Sequence, residues 1–463
     1  MIIIVLTGRH FFRHPGEGRD PEPGKAQKSL VSGMRQHDEE QANGDTWSLS
    51  RQSAIHCMMN SQTHGHPAGE ELAIVDHQVF RELEALLGNC LAAGDDNQNL
   101  SSLRRLLLRN PLETGPLTLL GTTISDADLV ERLHVLRRTY PLIKLHKEAL
   151  QITASLLPET FSIYIPIARF MADRARRIRA RFGRAALFGI NGGQGSGKTT
   201  INEFLQIILT RGLGLRSAGF SIDDVYKRFD QRQTMARAVH PLFAVRSVAG
   251  THDTALARET LTHLMYADAQ SSTRIPRFDK MARGGRGDRV PPAQWPVIEG
   301  AVDVVIFEGW FVGAHAQPID ALDEPINERE RSEDPAGIWR NTMNQLLATE
   351  YRELFDLLDH LLVIQVRSMQ DVFRNRELQE QHLRHRLADA HRRGEETGDL
   401  GAMTPDEVIA FISLYERTTR HMLETLPAEA SLTLFIGDRH RIERMRVNAT
   451  KVREPDESTR PDP

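Results

Sequence analysis

Gly192, Gly197, Lys198 and Thr199 stand in the spacing G-x-x-x-x-G-K-[ST]. They lie within the run Gly192-Gly193-Gln194-Gly195-Ser196-Gly197-Lys198-Thr199-Thr200. These residue types at this spacing bind phosphate. Glycines allow backbone conformations that a Cβ forbids, so successive N–H groups can converge on phosphate oxygens. A helix that begins at the lysine adds the positive end of its dipole. In such a loop Lys198 reaches the β- and γ-phosphates of a nucleotide, and the Thr199 hydroxyl holds Mg²⁺. The flanks fit this chemistry. Residues 185–190 are a short apolar run that reads as a buried strand, and Ile201, Phe204, Leu205, Ile208 and Leu209 follow at helical spacing.

Two further places carry acids where a strand should end. The run 217–222 leads straight into Asp223-Asp224, and the apolar run 303–308 ends in Glu308-Gly309. Adjacent residues at a strand end point different ways, so Asp223 and Asp224 are expected to have different jobs. One can face an acceptor hydroxyl and take its proton. The other can cap the next helix or touch Mg²⁺ through water. Glu308 occupies the place of the second acid of a nucleotide site, which holds Mg²⁺ directly or through water. Phosphoryl transfer needs mainly positioning and charge neutralisation, and this set supplies both.

Between these strands lie Thr251-His252-Asp253, Arg274-Ile275-Pro276-Arg277-Phe278-Asp279-Lys280 and Gly284-Gly285-Arg286-Gly287-Asp288-Arg289. The segment is dense in glycine and fixed positive charge, as a small anionic substrate requires, and arginine suits a carboxylate bidentately. His252, Lys280 and Arg289 are candidates for the acceptor's carboxylate, with Asp253 beside them. For His252 a structural hydrogen-bonding role stays equally open. Farther on, Asp371-Val372-Phe373-Arg374-Asn375-Arg376-Glu377 opens a highly charged helix. Its arginines can fold over a nucleotide as a lid, or lie along a surface helix laced by ion pairs.

The elements that must position these groups follow from the pattern of apolar runs. Strands are expected at 185–190, 217–222, 303–308, 360–366 and 432–437, with helices between them. That alternation predicts an α/β fold: a doubly wound parallel sheet of the P-loop NTPase type, with helices on both faces. Residues 67–180 read mostly as helix. They end in an arginine cluster, 174–184, taken as a solvated face leading into the first strand. Residues 319–335 read as a charged surface loop. The expected organisation is an N-terminal extension at 1–66, a helical region at 67–180, a kinase domain at 181–448 and a polar tail at 449–463. The first segment is rich in His, Gly, Pro, Ser and Gln, and residues 14–21 resemble a translated bacterial intergenic repeat, so an internal start at Met58 or Met59 is expected. The net charge of −4 gives no sign of nucleic acid, and no apolar stretch has membrane length. Two cysteines in 463 residues exclude a disulfide framework and point to a reducing cytoplasm. The expected partner is a small anionic substrate, with no nucleic acid and no membrane. No motif speaks to oligomeric state.

Together the motifs resemble the phosphate-loop D-glycerate 3-kinases of plants and their bacterial relatives, within the wider group of uridine kinase, phosphoribulokinase and pantothenate kinase. The residues that carry the resemblance are the loop 192–200, Phe-Ser-Ile-Asp-Asp-Val-Tyr (220–226), His-Pro-Leu (240–242) and Gly-Thr-His-Asp (250–253). To these add Pro-Arg-Phe-Asp-Lys (276–280), Gly-Arg-Gly-Asp-Arg (285–289), Phe-Glu-Gly-Trp-Phe-Val-Gly (307–313), Pro-Ile-Asn (325–327), Glu-Asp-Pro-Ala-Gly-Ile-Trp-Arg (333–340) and Arg376 with Gln379-Glu380. The resemblance covers about 160–440. It implies ATP and Mg²⁺ as cofactors and D-glycerate as acceptor, phosphorylated to 3-phosphoglycerate. It also implies Asp223 as base, Lys198 and Thr199 as ATP and Mg²⁺ contacts, Glu308 as the metal-side acid and Arg376 as the lid arginine. Three positions depart from the family pattern: Gly193 replaces a proline, Asn375 a tryptophan and Val225 an aromatic residue. Two other functions share the motifs: a kinase of the same build for another small alcohol, and a P-loop ATPase acting as a regulatory or assembly protein.

Overall fold

The structure, a computed structural model, describes residues 70–93, 97–393 and 403–452. The expected internal start at Met58 or Met59 lies outside them. Seven strands form the central sheet: β1 (Glu70–Ile74), β2 (Ala186–Gly192), β3 (Ser217–Ser221), β4 (Val304–Gly309), β5 (His360–Val366), β6 (Leu432–Ile436) and β7 (Ile442–Asn448), in the order β1-β7-β6-β5-β2-β4-β3. Strands β3, β4, β2, β5 and β6 are mutually parallel; β7 pairs antiparallel with β6, and β1 pairs antiparallel with β7 at the margin. From β2 the chain first runs to the edge strand β3 on one side and returns to β4 between β2 and β3, then crosses to the other side through β5 and β6. The carboxyl end of β2 is therefore the switch point of the sheet, where open α/β folds bind ligands.

Alternation along the strands divides two cores. Phe188, Ile190, Val304, Ile306, Leu362, Ile364, Leu432 and Leu434 face one side. Leu187, Val305, Phe307 and Val363 face the other. The first core also holds the phosphate-loop helix, Lys198–Ile207, through Ile201, Phe204 and Leu205, and the N-terminal helices through Leu83, Leu87, Leu103, Leu133 and Phe161. Among the N-terminal helices, Arg132 is fully buried. It forms a two-bond pair with Glu113 (2.6 and 2.9 Å) and donates to the Phe161 carbonyl. The second core packs helices Thr254–Met265, Ile338–Ala348 and Glu416–Glu429 on the opposite face.

The structure differs from the sequence pattern in four places. The region 67–180 contributes a strand, β1, and β7 is a further strand; both were missed. Each pairs antiparallel near the sheet margin; β1 opens with two glutamates and has only three apolar residues, and polar residues interrupt the apolar ones of β7, so neither shows the continuous apolar run of a buried parallel strand. The arginine cluster is not wholly solvated. Arg184 pairs bidentately with Asp359 (2.7 and 2.8 Å), whose carboxylate also accepts from the Leu187 N–H, tying the start of β2 to the approach of β5. Residues 319–335 are not a simple surface loop. Glu330 is buried with Arg417, and Asp334 caps helix Ile338–Ala348 while pairing with Arg340. The tail begins with a short helix, Ala449–Val452, that buries Ala449 and Val452; its remainder lies outside the described residues.

Candidate active site

After β2 the chain turns through Gly193–Gly197 into the helix at Lys198. Gly195 and Gly197 take φ of +72° and +85°, the left-handed region that favours glycine. A Cβ on Gly192 would lie 2.6 Å from Ser196 Oγ, and one on Gly195 2.7 Å from the Asn375 Cβ. The loop is thus closed down onto its own Ser196 side chain and onto the first turns of the charged helix, Met369–Arg392. His440, in the β6–β7 turn, donates its Nε2–H to the Gly195 carbonyl (2.6 Å). The Ser196 hydroxyl is buried without a hydrogen-bond partner. Thr199 is exposed in the first helical turn, with Thr200 half-buried behind it.

Glu308 sits opposite Ile190 of β2 and Ser221 of β3, at the carboxyl ends of all three strands. Its carboxylate pairs with the Lys198 ammonium. Gly309 beside it admits Ile222, whose Cγ2 would come within 2.4 Å of any Cβ there.

The two aspartates are separated by the turn that holds them. Ile222–Val225 is a single 3₁₀ turn. The Ser221 hydroxyl accepts from the Asp223 N–H (3.3 Å), and the Asp224 carboxylate accepts from the Ser221 N–H (3.0 Å). This capping box folds Asp224 back, where it also meets Arg277 (3.3 Å). Asp223 faces the other way and accepts from Lys280 Nζ at 2.7 Å. Burial pushes both carboxyls up. At Asp223 the charge and hydrogen bond of Lys280, helped by Lys198, outweigh it and bring the carboxyl down to about 2. At Asp224 burial wins over Arg277 and lifts the carboxyl to about 6.

His252 is buried in an aromatic nest. Its ring stacks on Tyr226 (4.2 Å between centroids) and tilts against Phe311. The Tyr351 hydroxyl accepts from the Gly250 and His252 backbone N–H groups, so its own proton goes to His252 Nδ1 at 2.9 Å. Burial holds His252 at about 3, so the ring is neutral and carries its proton on Nε2, which has no partner. Asp253 and Arg289 answer each other at 3.0 Å. Asp253 also caps helix Thr254–Met265, and Arg289 also donates to the Tyr226 carbonyl. Arg376 pairs with Glu380 one helical turn on and lies over the Phe411 ring, 5.0 Å from its centroid.

The structure therefore gathers the loop, Lys198, Glu308, Asp223 and Lys280 at one end of the sheet, with His252 close behind. It engages Asp224, Asp253 and Arg289 in caps and ion pairs around them. Arg277, Tyr351 and His440 were missed as contributors. Arg277 stood inside a quoted motif. Tyr351 and His440 come from distant elements, and no local signal marks them.

A glycine-walled loop at a switch point, with acids tipping the neighbouring parallel strands, defines the class of P-loop phosphotransferases. No protein-family model matches the chain. The "Uncharacterized kinase mug58" of Schizosaccharomyces pombe is 32% identical over 241 residues, covering 50% of this chain and 79% of that protein. The chloroplastic D-glycerate 3-kinase of Arabidopsis thaliana is 29% identical over 289 residues, 60% of this chain and 58% of that one, so the match spans less than two thirds of the plant enzyme. A solved D-glycerate 3-kinase from Cryptococcus neoformans is 25% identical, with a TM-score of 0.48, over 61% of this chain and 97% of that chain. The chain belongs to the D-glycerate 3-kinase family of P-loop kinases.

Proposed function

We propose that the protein is an ATP- and Mg²⁺-dependent kinase that phosphorylates the primary hydroxyl of D-glycerate to give 3-phosphoglycerate. The observation that carries this is Asp223. It is an ionised carboxylate at the end of the strand two places from the phosphate loop, within ion-pair reach of a lysine that can also meet an acid substrate. The names of the relatives support the choice of acceptor.

The residues fit a magnesium nucleotide. The glycine-walled loop and the unpartnered Ser196 hydroxyl offer donors to phosphate oxygens. Lys198 would bind the β- and γ-phosphates. Thr199 and Glu308 would hold Mg²⁺, with Asp224 reaching it through water. Among the described residues no group of three or more His, Cys, Asp or Glu is placed to hold a metal ion. Mg²⁺ takes one or two protein oxygens and completes its shell with phosphates and water. The bound metal supplies neutralisation of phosphate charge. Asp223 would orient the substrate hydroxyl and accept its proton as the new O–P bond forms and the bond from the γ-phosphorus to the β,γ-bridging oxygen breaks, releasing ADP. Arg376, released from Glu380, would neutralise charge on the transferring group. His252 and Lys280 would contact the acceptor, with Asp253 and Arg289 bracing them. In the described residues no helix is long and apolar enough to cross a membrane. The small cysteine count supports a cytoplasmic setting.

The test is ADP release with Mg·ATP against D-glycerate, L-glycerate, uridine, pantothenate and ribulose 5-phosphate. Selective stimulation by D-glycerate is expected. Equal or greater stimulation by another alcohol would replace the substrate and keep the chemistry. Hydrolysis indifferent to every alcohol and dependent on a macromolecule would replace the kinase by a regulatory ATPase.

A further inference from the structure

The acids around Asp223 are already matched. Asp223 has Lys280, Asp224 has Arg277, Asp253 has Arg289 and Asp288 has Arg283. Among the described residues, Lys227, Arg232 and Arg246 of the same region form no ion pair. Lys227 donates to the Gly250 carbonyl (2.8 Å). Arg232, fully buried, donates to the carbonyls of Lys227, Ala244, Arg286 and Gly287. Arg246, half-buried, donates to the Gly285 carbonyl (2.6 Å). Carbonyl dipoles offset part of the cost of placing cations so close, and an anion offsets more.

Of the three, only Arg246 is free to serve a ligand. The donors of Arg232 are used on backbone, where they pin the glycine turn 284–287, and Lys227 is bound inward to Gly250. Arg246 has one of its five donors occupied, and that bond fastens it to the same turn. Its guanidinium lies against Gly287, where a Cβ would come within 3.1 Å of Nη1. The turn joins Phe278–Asp279 to Asp288–Arg289 in a two-stranded ribbon, and Lys280 leaves the ribbon to meet Asp223. From behind, the Tyr415 hydroxyl holds the Arg246 carbonyl (3.3 Å). The Arg246 charge is felt at Lys280, Tyr226 and Tyr415, all of which also sense Asp223.

We propose that Arg246 anchors the anionic group of the acceptor, with Lys280 as its second cation, in a subsite beside Asp223. This rests on the kinase function proposed above and names how it selects a substrate. The guanidinium fork matches a carboxylate bidentately, while Lys280 as a point charge can be shared between that carboxylate and Asp223. A neutral alcohol of the same size gives Arg246 nothing to hold. A phosphate ester offers the same charge in a different shape.

The experiment compares wild type, Arg246→Gln and Arg246→Lys with D-glycerate, ribulose 5-phosphate and glycerol, together with calorimetric binding of D-glycerate alone. Circular dichroism establishes that each variant is folded. The expected result is an acceptor KM for D-glycerate raised about 10- to 100-fold in Arg246→Gln. Arg246→Lys should lie between, the ATP KM should stay within about twofold of wild type, and glycerol turnover should be poor and equal in all three. A wild-type enzyme that uses D-glycerate while Arg246→Gln keeps its KM overturns the anchor and leaves the kinase standing. Turnover of ribulose 5-phosphate that depends on Arg246 keeps the anchor and replaces glycerate. Turnover of glycerol alone overturns both. If no acceptor is turned over, D-glycerate binding that is lost in Arg246→Gln keeps the anchor, and absent or unchanged binding overturns it.

Discussion

Asp223 has the electrostatics of a permanent carboxylate. Burial would favour its neutral form, but Lys280 dominates and holds it near 2, so it is ionised at every pH at which the protein would be assayed. A loose phosphoryl-transfer transition state asks for a hydrogen-bond acceptor that orients the hydroxyl more than for a strong base. Changing Asp223 to Asn keeps the shape and removes the charge. Turnover should fall about 10²- to 10⁴-fold with ATP affinity nearly unchanged, measured by steady-state kinetics and nucleotide binding. A near-normal turnover number would remove Asp223 from the chemistry. The neutral state of His252 follows from its neighbours too: Tyr351 fills Nδ1, so the ring offers a donor and no charge.

At the scale of elements, the phosphate loop works because its glycines are not equivalent. At Gly195 a Cβ would combine a left-handed backbone with a 2.7 Å approach to Asn375; at Gly193 the nearest atom is Val372 Cγ2, at 3.9 Å. Gly195→Ala should therefore push the charged helix away from the loop and weaken ATP binding about tenfold or more. Gly193→Ala should bind within about twofold of wild type. Equilibrium binding of a non-hydrolysable ATP analogue to the two variants checks this, and equal affinities would show that the loop tolerates the displacement. The same contact explains how Asn375 stands where the resembled family carries tryptophan. Asn375 is buried against Gly195, and the helix root is packed without a large ring.

Across the whole molecule, the N-terminal helices and the phosphate-loop helix share one core, and polar ties join them as well. Glu159 pairs with Arg441, next to His440, which holds the Gly195 carbonyl. Glu159 is buried with its second carboxyl oxygen unpartnered. Burial outweighs Arg441 and lifts it from 4.5 to about 6. A carboxyl raised on folding stabilises the folded state most below its ordinary value, and the contribution is lost as pH rises through 6. Relative to Glu159→Gln, the wild type should gain about 1 kcal/mol on going from pH 7.5 to pH 5. Urea unfolding at both pH values measures it, and parallel pH dependence of the two proteins would show that Glu159 does not carry the linkage.

The parallel strands, the phosphate loop and the acids that tip β3 and β4 were legible in the chain itself. A buried parallel strand must be a continuous apolar run, and a phosphate loop must place glycines and lysine at set intervals, so both constraints are local. Strands β1 and β7 escaped because an antiparallel marginal strand needs only part of its residues to be apolar, and its partner decides the rest. The site divides in the same way. Lys198, Glu308 and Asp223 announce themselves by position after a strand. Which of two adjacent aspartates turns outward depended on a Ser221 capping box and on Arg277, 53 residues away. Whether His252 carries charge depended on Tyr351, 99 residues away. Which arginine of the basic insert remains available depended on which carboxylates and backbone carbonyls the others had already met. Those outcomes are set by pairing and burial between distant segments, which sequence spacing does not encode and only the tertiary structure decides.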